Sequence, residues 1–202
     1  VALVDAYGKQ FGRDPTMLAG WIDQPYWEPP GATATVRYSG IIGMLRPEKA
    51  KWLVRLMRLW QLNDLKIKVG DDLEWDRLKT IVDYLSGPIA QEKVRLRVDA
   101  NSAWPIDVLP RKVDQLEELG VLYLEQPTPR EDDAHWLPIQ HESGVNLIAD
   151  ESLISFTDAE RLAEQYRVGV FNVRIAKNGG LLPALKLAAF AYNRGIEIQL
   201  GC

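Results

Sequence analysis

A chain of 202 residues, 47% hydrophobic and 26% charged, has the make-up of an ordinary globular domain with one sizeable core. A formal net charge of −4, with lysines and arginines dispersed along the chain, excludes the basic footprint of a nucleic-acid binder. No apolar run approaches the ~20 residues that cross a bilayer, no cleavable signal pattern opens the chain, and the single cysteine, Cys202, excludes a disulfide framework. A cytoplasmic protein with no nucleic-acid or membrane partner is the expectation, and the start at Val1 without methionine suggests a missing N-terminus.

The first 20 residues read as a helix with Ala2, Leu3, Ala6 and Tyr7 on one face, then a short link. The proline-rich stretch Trp21–Gly31 reads as a loop. From there β-rich runs recur at Thr35–Ser39, Leu65–Val69, Arg95–Asp99, Val121–Glu125, Asn146–Asp150, Phe171–Ile175 and Ile196–Leu200. Their starts lie 25 to 30 residues apart, the length of one βα unit. Helical patterns fill the gaps. Leu78, Ile81, Val82 and Leu85 share one face, as do Val113, Leu116 and Leu119 before a stop at Gly120. Thr157 with Glu160 reads as a capping box, and Leu181–Tyr192 as an apolar helix ended by Gly195. Strict alternation predicts an α/β fold, a (β/α) barrel of the TIM type with seven of its eight strands present. The expected organisation is a helical segment over 1–20, a linker over 21–34, and a barrel over 35–202 that is incomplete at its C-terminus. Trp52, Trp60 and Trp75 fall in helical patterns and are expected in the core. His135 and His141 are expected to be surface or packing residues rather than ligands, and Cys202 has no evident catalytic role.

Polar residues gather at one end of these strands. Lys66 and Lys68 lie on the second, Asp99 ends the third, Glu125 the fourth, Asp150 the fifth, and Lys177 follows the sixth. In a (β/α) barrel these ends form one mouth, where active sites are built. Three carboxylates facing one cavity would repel each other, and a divalent cation removes that conflict. Oxygen-only donors suit Mg²⁺ or Mn²⁺, and the lack of histidine or cysteine there argues against zinc. Lys66 and Lys68 project to one face of their strand, close enough to lower each other's proton affinity from ~10.4 toward a useful ~7–8. A lysine on each side of a bound carboxylate substrate is what proton removal and return at carbon require, with the metal stabilising the enediolate.

The motifs KIKVG, RVDAN, YLEQP, ADES and NVRIAKNGG resemble the successive strand motifs of the enolase superfamily, in its muconate-lactonizing subgroup (mandelate racemase/muconate lactonizing enzymes). The resemblance implies that residues 1–20 are the tail of an N-terminal α+β capping domain, that Asp99, Glu125 and Asp150 are metal ligands and that Lys68 and Lys177 are the acid/base pair. It makes Lys66 the residue that tunes Lys68 and neutralises the substrate carboxylate. Asn101, Glu151, Asn172 and Arg174 adjoin these positions and are expected to support them. The mandelate-racemase branch uses a histidine from strand seven, whereas here that strand reads IEIQLGC.

The expectation is therefore a Mg²⁺-dependent isomerase that removes the proton α to a carboxylate, acting on a small-molecule carboxylate substrate and forming a homo-oligomer when full length. Racemisation or epimerisation of an N-acyl amino acid or dipeptide comes first. A muconate-type cycloisomerase or an o-succinylbenzoate synthase-type dehydratase, a lyase, is the alternative. Rivals of another class are a non-functional truncated barrel and an unrelated metal-dependent barrel.

Overall fold

The computed structural model describes residues 2–14, 17 and 36–201. Helix α1 (Ala2–Phe11) buries none of its residues. A single parallel sheet follows, in the order β1 (Ser39–Ile42), β2 (Asp64–Lys68), β3 (Arg95–Asp99), β4 (Tyr123–Glu125), β5 (Asn146–Ala149), β6 (Val170–Val173) and β7 (Glu197–Leu200). Parallel neighbours need a long crossover. Helices supply them: α2 (Pro47–Leu59), α3 (Glu74–Ala90), α4 (Leu109–Glu118), α5 (Trp136–Glu142), α6 (Phe156–Glu164) and α7 (Leu181–Asn193).

The core lies between sheet and helices. On β2, Leu65 and Ile67 are wholly buried, while Lys66 and Lys68 take the alternate face. The helices answer with stripes at helical spacing: Leu78, Ile81 and Leu85 on α3, and Leu109, Val113 and Leu116 on α4. Each fully buried aliphatic side chain contributes about 1.5–3 kcal/mol, so truncating one such as Ile67 would cost about 2–5 kcal/mol. The sheet is curled. Arg95 on β3 reaches Glu197 on β7 at 3.6 Å, and Gln199 on β7 reaches Glu125 on β4 at 3.2 Å. Seven strands of a (β/α) barrel thus enclose a polar interior.

Several expectations are corrected. The first strand is Ser39–Ile42 rather than Thr35–Ser39; Val36 and Tyr38 are exposed and carry no strand, and Thr35 lies outside the described residues. Val, Tyr and Thr favour strands, but pairing decides: Ser39 to Ile42 match Asp64 to Ile67. Gly40 is needed there because a Cβ would sit 2.6 Å from Met57 Sδ. The sixth strand spans Val170–Val173, which leaves Arg174 and Ile175 in the following loop. The cap of α6 is Ser155 with Asp158, not Thr157 with Glu160. Ser155 has extended backbone, so its hydroxyl can accept from the Asp158 amide, and the Ser155 amide in turn donates to Asp158 Oδ2 at 2.8 Å. Trp52 and Trp60 are exposed, at 60% and 80%, while Trp75 packs partly buried against the core. The linker 21–34, with the loop Trp21–Gly31, and Cys202 lie outside the described residues.

Candidate active site

Lys68, Asp99 and Glu125 end their strands, Asn101, Asp150, Glu151, Arg174 and Lys177 follow just after, and Lys66 and Asn172 lie just short of the ends of β2 and β6; parallel strands in chain order carry those ends to one rim. Lys66 and Lys68 point to the barrel side of β2. Lys66 Nζ lies 2.8 Å from Asp99 Oδ2 and 3.2 Å from Glu125 Oε1, bridging the ends of β3 and β4. Lys68 Nζ instead donates to Asn101 Oδ1 at 2.8 Å, and Asn101 Nδ2 donates to Glu151 Oε1 at 3.3 Å. The two lysines therefore face different partners.

Glu125 is wholly buried and central. Asn172 Nδ2 donates to its Oε1 at 2.7 Å, Gln199 Nε2 donates to its Oε2 at 3.2 Å, and Arg97 Nε lies 3.6 Å from Oε2. A buried carboxylate needs this compensation. Asp150, also buried, is ion-paired with Arg174 and receives a hydrogen bond from Lys177 Nζ at 2.7 Å on Oδ1. Lys177 Nζ also donates to the Asn172 carbonyl at 3.1 Å and to the Asp150 carbonyl. Burial, with the Arg174 guanidinium beside it, lowers the Lys177 pKa to about 8.

All six expected metal and lysine positions are thus grouped at one rim; Asn101, Asn172 and Arg174 contact members of the six directly, whereas Glu151 contacts Asn101 and Arg174. One expectation is corrected: the carboxylates are turned to the chain's own cations rather than onto one point. Among the described residues no three His, Cys, Asp or Glu side chains are gathered closely enough to hold an ion as they stand. The donor chemistry nonetheless fits a hard divalent cation. Asp99 Oδ2 and Asp150 Oδ2 are buried and, apart from their ion pairs, accept no hydrogen bond. His135 and His141 are exposed, well away in sequence from these ends.

Sequence reading did not single out Arg97, Gln199 or Asn178. The first two lie on strands, at interior positions that period-two alternation could have indicated. Asn178 is buried after β6; it accepts from Arg174 N at 2.8 Å and donates to Leu153 O at 2.8 Å, tying that loop to the one after β5. No spacing rule foretells such a bond.

A profile of the "Enolase C-terminal domain-like" family matches residues 50–202. The chain is 29% identical over 202 residues to an L-Ala-D/L-amino acid epimerase of Maribacter sp., covering 100% of this chain and 54% of that one. Among solved structures, a muconate cycloisomerase variant superposes with a TM-score of 0.80 at 26% identity, covering 98% of this chain and 52% of that one. A dipeptide epimerase from Methylococcus capsulatus complexed with Mg ion superposes with a TM-score of 0.74 at 25% identity, covering 100% of this chain and 61% of that one. The chain thus spans little more than half the length of these relatives.

Proposed function

The chain belongs to the enolase C-terminal domain-like family, and on that premise we propose that it removes the proton α to a carboxylate and returns one to the opposite face, racemising or epimerising an N-acyl amino acid or dipeptide. The observation that carries this reading is the placement of Lys68, ending β2, and Lys177, following β6, with Asp99 and Glu125 ending β3 and β4 and Asp150 just past β5 between them. Both lysines are partly buried, and the Lys177 pKa is lowered to about 8, which brings its amine within reach of both taking and giving a proton.

Asp99, Glu125 and Asp150 would hold Mg²⁺, or Mn²⁺, which when bound supplies positive charge toward the substrate carboxylate. The residues of the chain do the rest. One lysine, as the free amine, takes the α-proton on its Nζ, and the electron pair left behind delocalises into the substrate carboxylate. The other lysine, as the ammonium, gives an Nζ proton to the opposite face of the same carbon. The net result is inversion with one proton exchanged. Lys66 adds a fixed positive charge between Asp99 and Glu125. Asn101 orients Lys68, and the Asp150 carboxylate orients Lys177.

The similarity to muconate cycloisomerase over 98% of the chain favours a second reading, in which one lysine moves the proton and the other only stabilises charge. The test is α-proton exchange in D₂O with Mg²⁺, against pools of dipeptides and N-acyl amino acids, read by mass spectrometry and optical purity. Deuterium uptake with loss of optical purity is expected. No uptake by a folded, Mg²⁺-binding protein would transfer the assignment to the cycloisomerase.

A further inference from the structure

Gln126 follows Glu125 directly and is as fully buried, yet its side chain hydrogen-bonds to neither neighbouring carboxylate. Its backbone sits at φ 35°, a left-handed conformation that costs a residue with a side chain roughly 1 kcal/mol or more. Such a cost persists where the surroundings compel it, and here they do. Gln126 N donates to Ile148 O on β5 at 2.9 Å, and its carbonyl accepts from Ser102 N, in the loop after β3, at 2.8 Å.

The side chain completes the arrangement. Oε1 accepts from Asp150 N and from Ser152 N, each at 3.1 Å. Nε2 donates to Ser152 Oγ at 2.7 Å and to Thr128 O at 3.0 Å. That is the full capacity of a carboxamide, two donors and two acceptors. The Ser152 hydroxyl donates onward to Asp133 Oδ1 at 2.6 Å, and Arg161 holds Asp133 from the far side at 3.1 Å.

We propose that Gln126 is a positioning residue that sets the spacing between the Glu125 and Asp150 carboxylates, and so the ability of the rim to take a divalent cation. This role rests on the metal-site reading given above. The bond from Gln126 N to Ile148 O fixes the chain immediately after Glu125, and one side-chain oxygen holds the amide of Asp150. A change at Gln126 moves one carboxylate against the other, although Gln126 itself touches neither carboxylate.

The test is titration calorimetry with Mg²⁺ and with Mn²⁺, well below the melting temperature, on the wild-type protein, Gln126→Met, Gln126→Glu and Ser152→Ala, with circular dichroism to verify folding. Both Gln126 variants are expected to bind about tenfold or more weakly, and Ser152→Ala a few-fold more weakly, the range found when groups that orient metal ligands are removed. A purely structural role would lower the melting temperature and leave affinity unchanged in the variants that stay folded, and that result overturns the proposal. If Gln126→Met does not fold, Gln126→Glu, which keeps the shape but loses both donors and sets an oxygen against the Thr128 carbonyl, and Ser152→Ala decide. A wild-type protein that binds neither ion overturns the metal-site reading and this role with it, so the wild-type control tells the two failures apart.

Discussion

The side-chain amide of Gln199 on β7 donates to Glu125 Oε2 on β4 at 3.2 Å, although β5 and β6 lie between them in the sheet. Only a curled sheet allows this contact. It makes Glu125 the point where β2, β3, β6 and β7 meet, through Lys66, Arg97, Asn172 and Gln199.

Glu125→Gln keeps the shape of this side chain and removes its charge. Mg²⁺ affinity is expected to fall about tenfold or more while the fold survives, because the neighbouring amides and cations lose only part of their partner. Calorimetric titration of the folded variant measures it. Unchanged affinity would sink the assignment of Glu125 as a ligand.

Lys68→Ala and Lys177→Ala should each lower turnover by about 10³-fold, within the usual contribution of a positioned acid or base. The two variants should differ in proton exchange: each retains exchange of the α-proton of one enantiomer only. Mass spectrometry of separate enantiomers in D₂O reads this. Equal loss for both enantiomers in both variants would contradict a two-faced site.

Arg77 is wholly buried, donates to the Lys68 carbonyl at 2.9 Å and pairs with Asp71 at 2.6 Å. Asp71→Asn leaves that guanidinium uncompensated and should cost about 3 kcal/mol at pH 7, measured by urea unfolding. The Arg77 hydrogen bond holds the Asp71 carboxyl below the usual carboxylate range. A lowered folded-state pKa adds stability that is complete above the unfolded value of ~3.9 and disappears as pH falls below it. The gap between wild type and variant should therefore be largest near neutrality and close as the pH drops below about 4.

Ser155→Ala removes the cap of α6 and should cost about 1 kcal/mol. Thr157→Ala, two residues too late to cap, should change stability by less than about 0.5 kcal/mol. Parallel denaturant titrations decide, and a larger loss at Thr157 would reverse the assignment.

Sequence alone determined the repeat of strand and helix, the rim on which Lys66, Lys68, Asp99, Glu125, Asp150 and Lys177 stand, and the buried stripes of α3 and α4. These are periodic or positional signals, readable because β alternation and helical spacing are local. The start of β1, the cap of α6 and the exposure of Trp52 and Trp60 were decided by tertiary structure. Propensity cannot say which strand register a neighbour accepts, which of two hydroxyls has extended backbone, or which face of a helix meets the sheet. The partners of Glu125 were likewise invisible, since Gln199 lies 74 residues away and reaches it only when the sheet curls. So was the clamp at Gln126, whose hydrogen bonds depend on a left-handed backbone that no spacing encodes. Local pattern names the residues of the site; the closing of the sheet in three dimensions decides what each one holds, because hydrogen bonds and ion pairs are set by distance in space rather than along the chain.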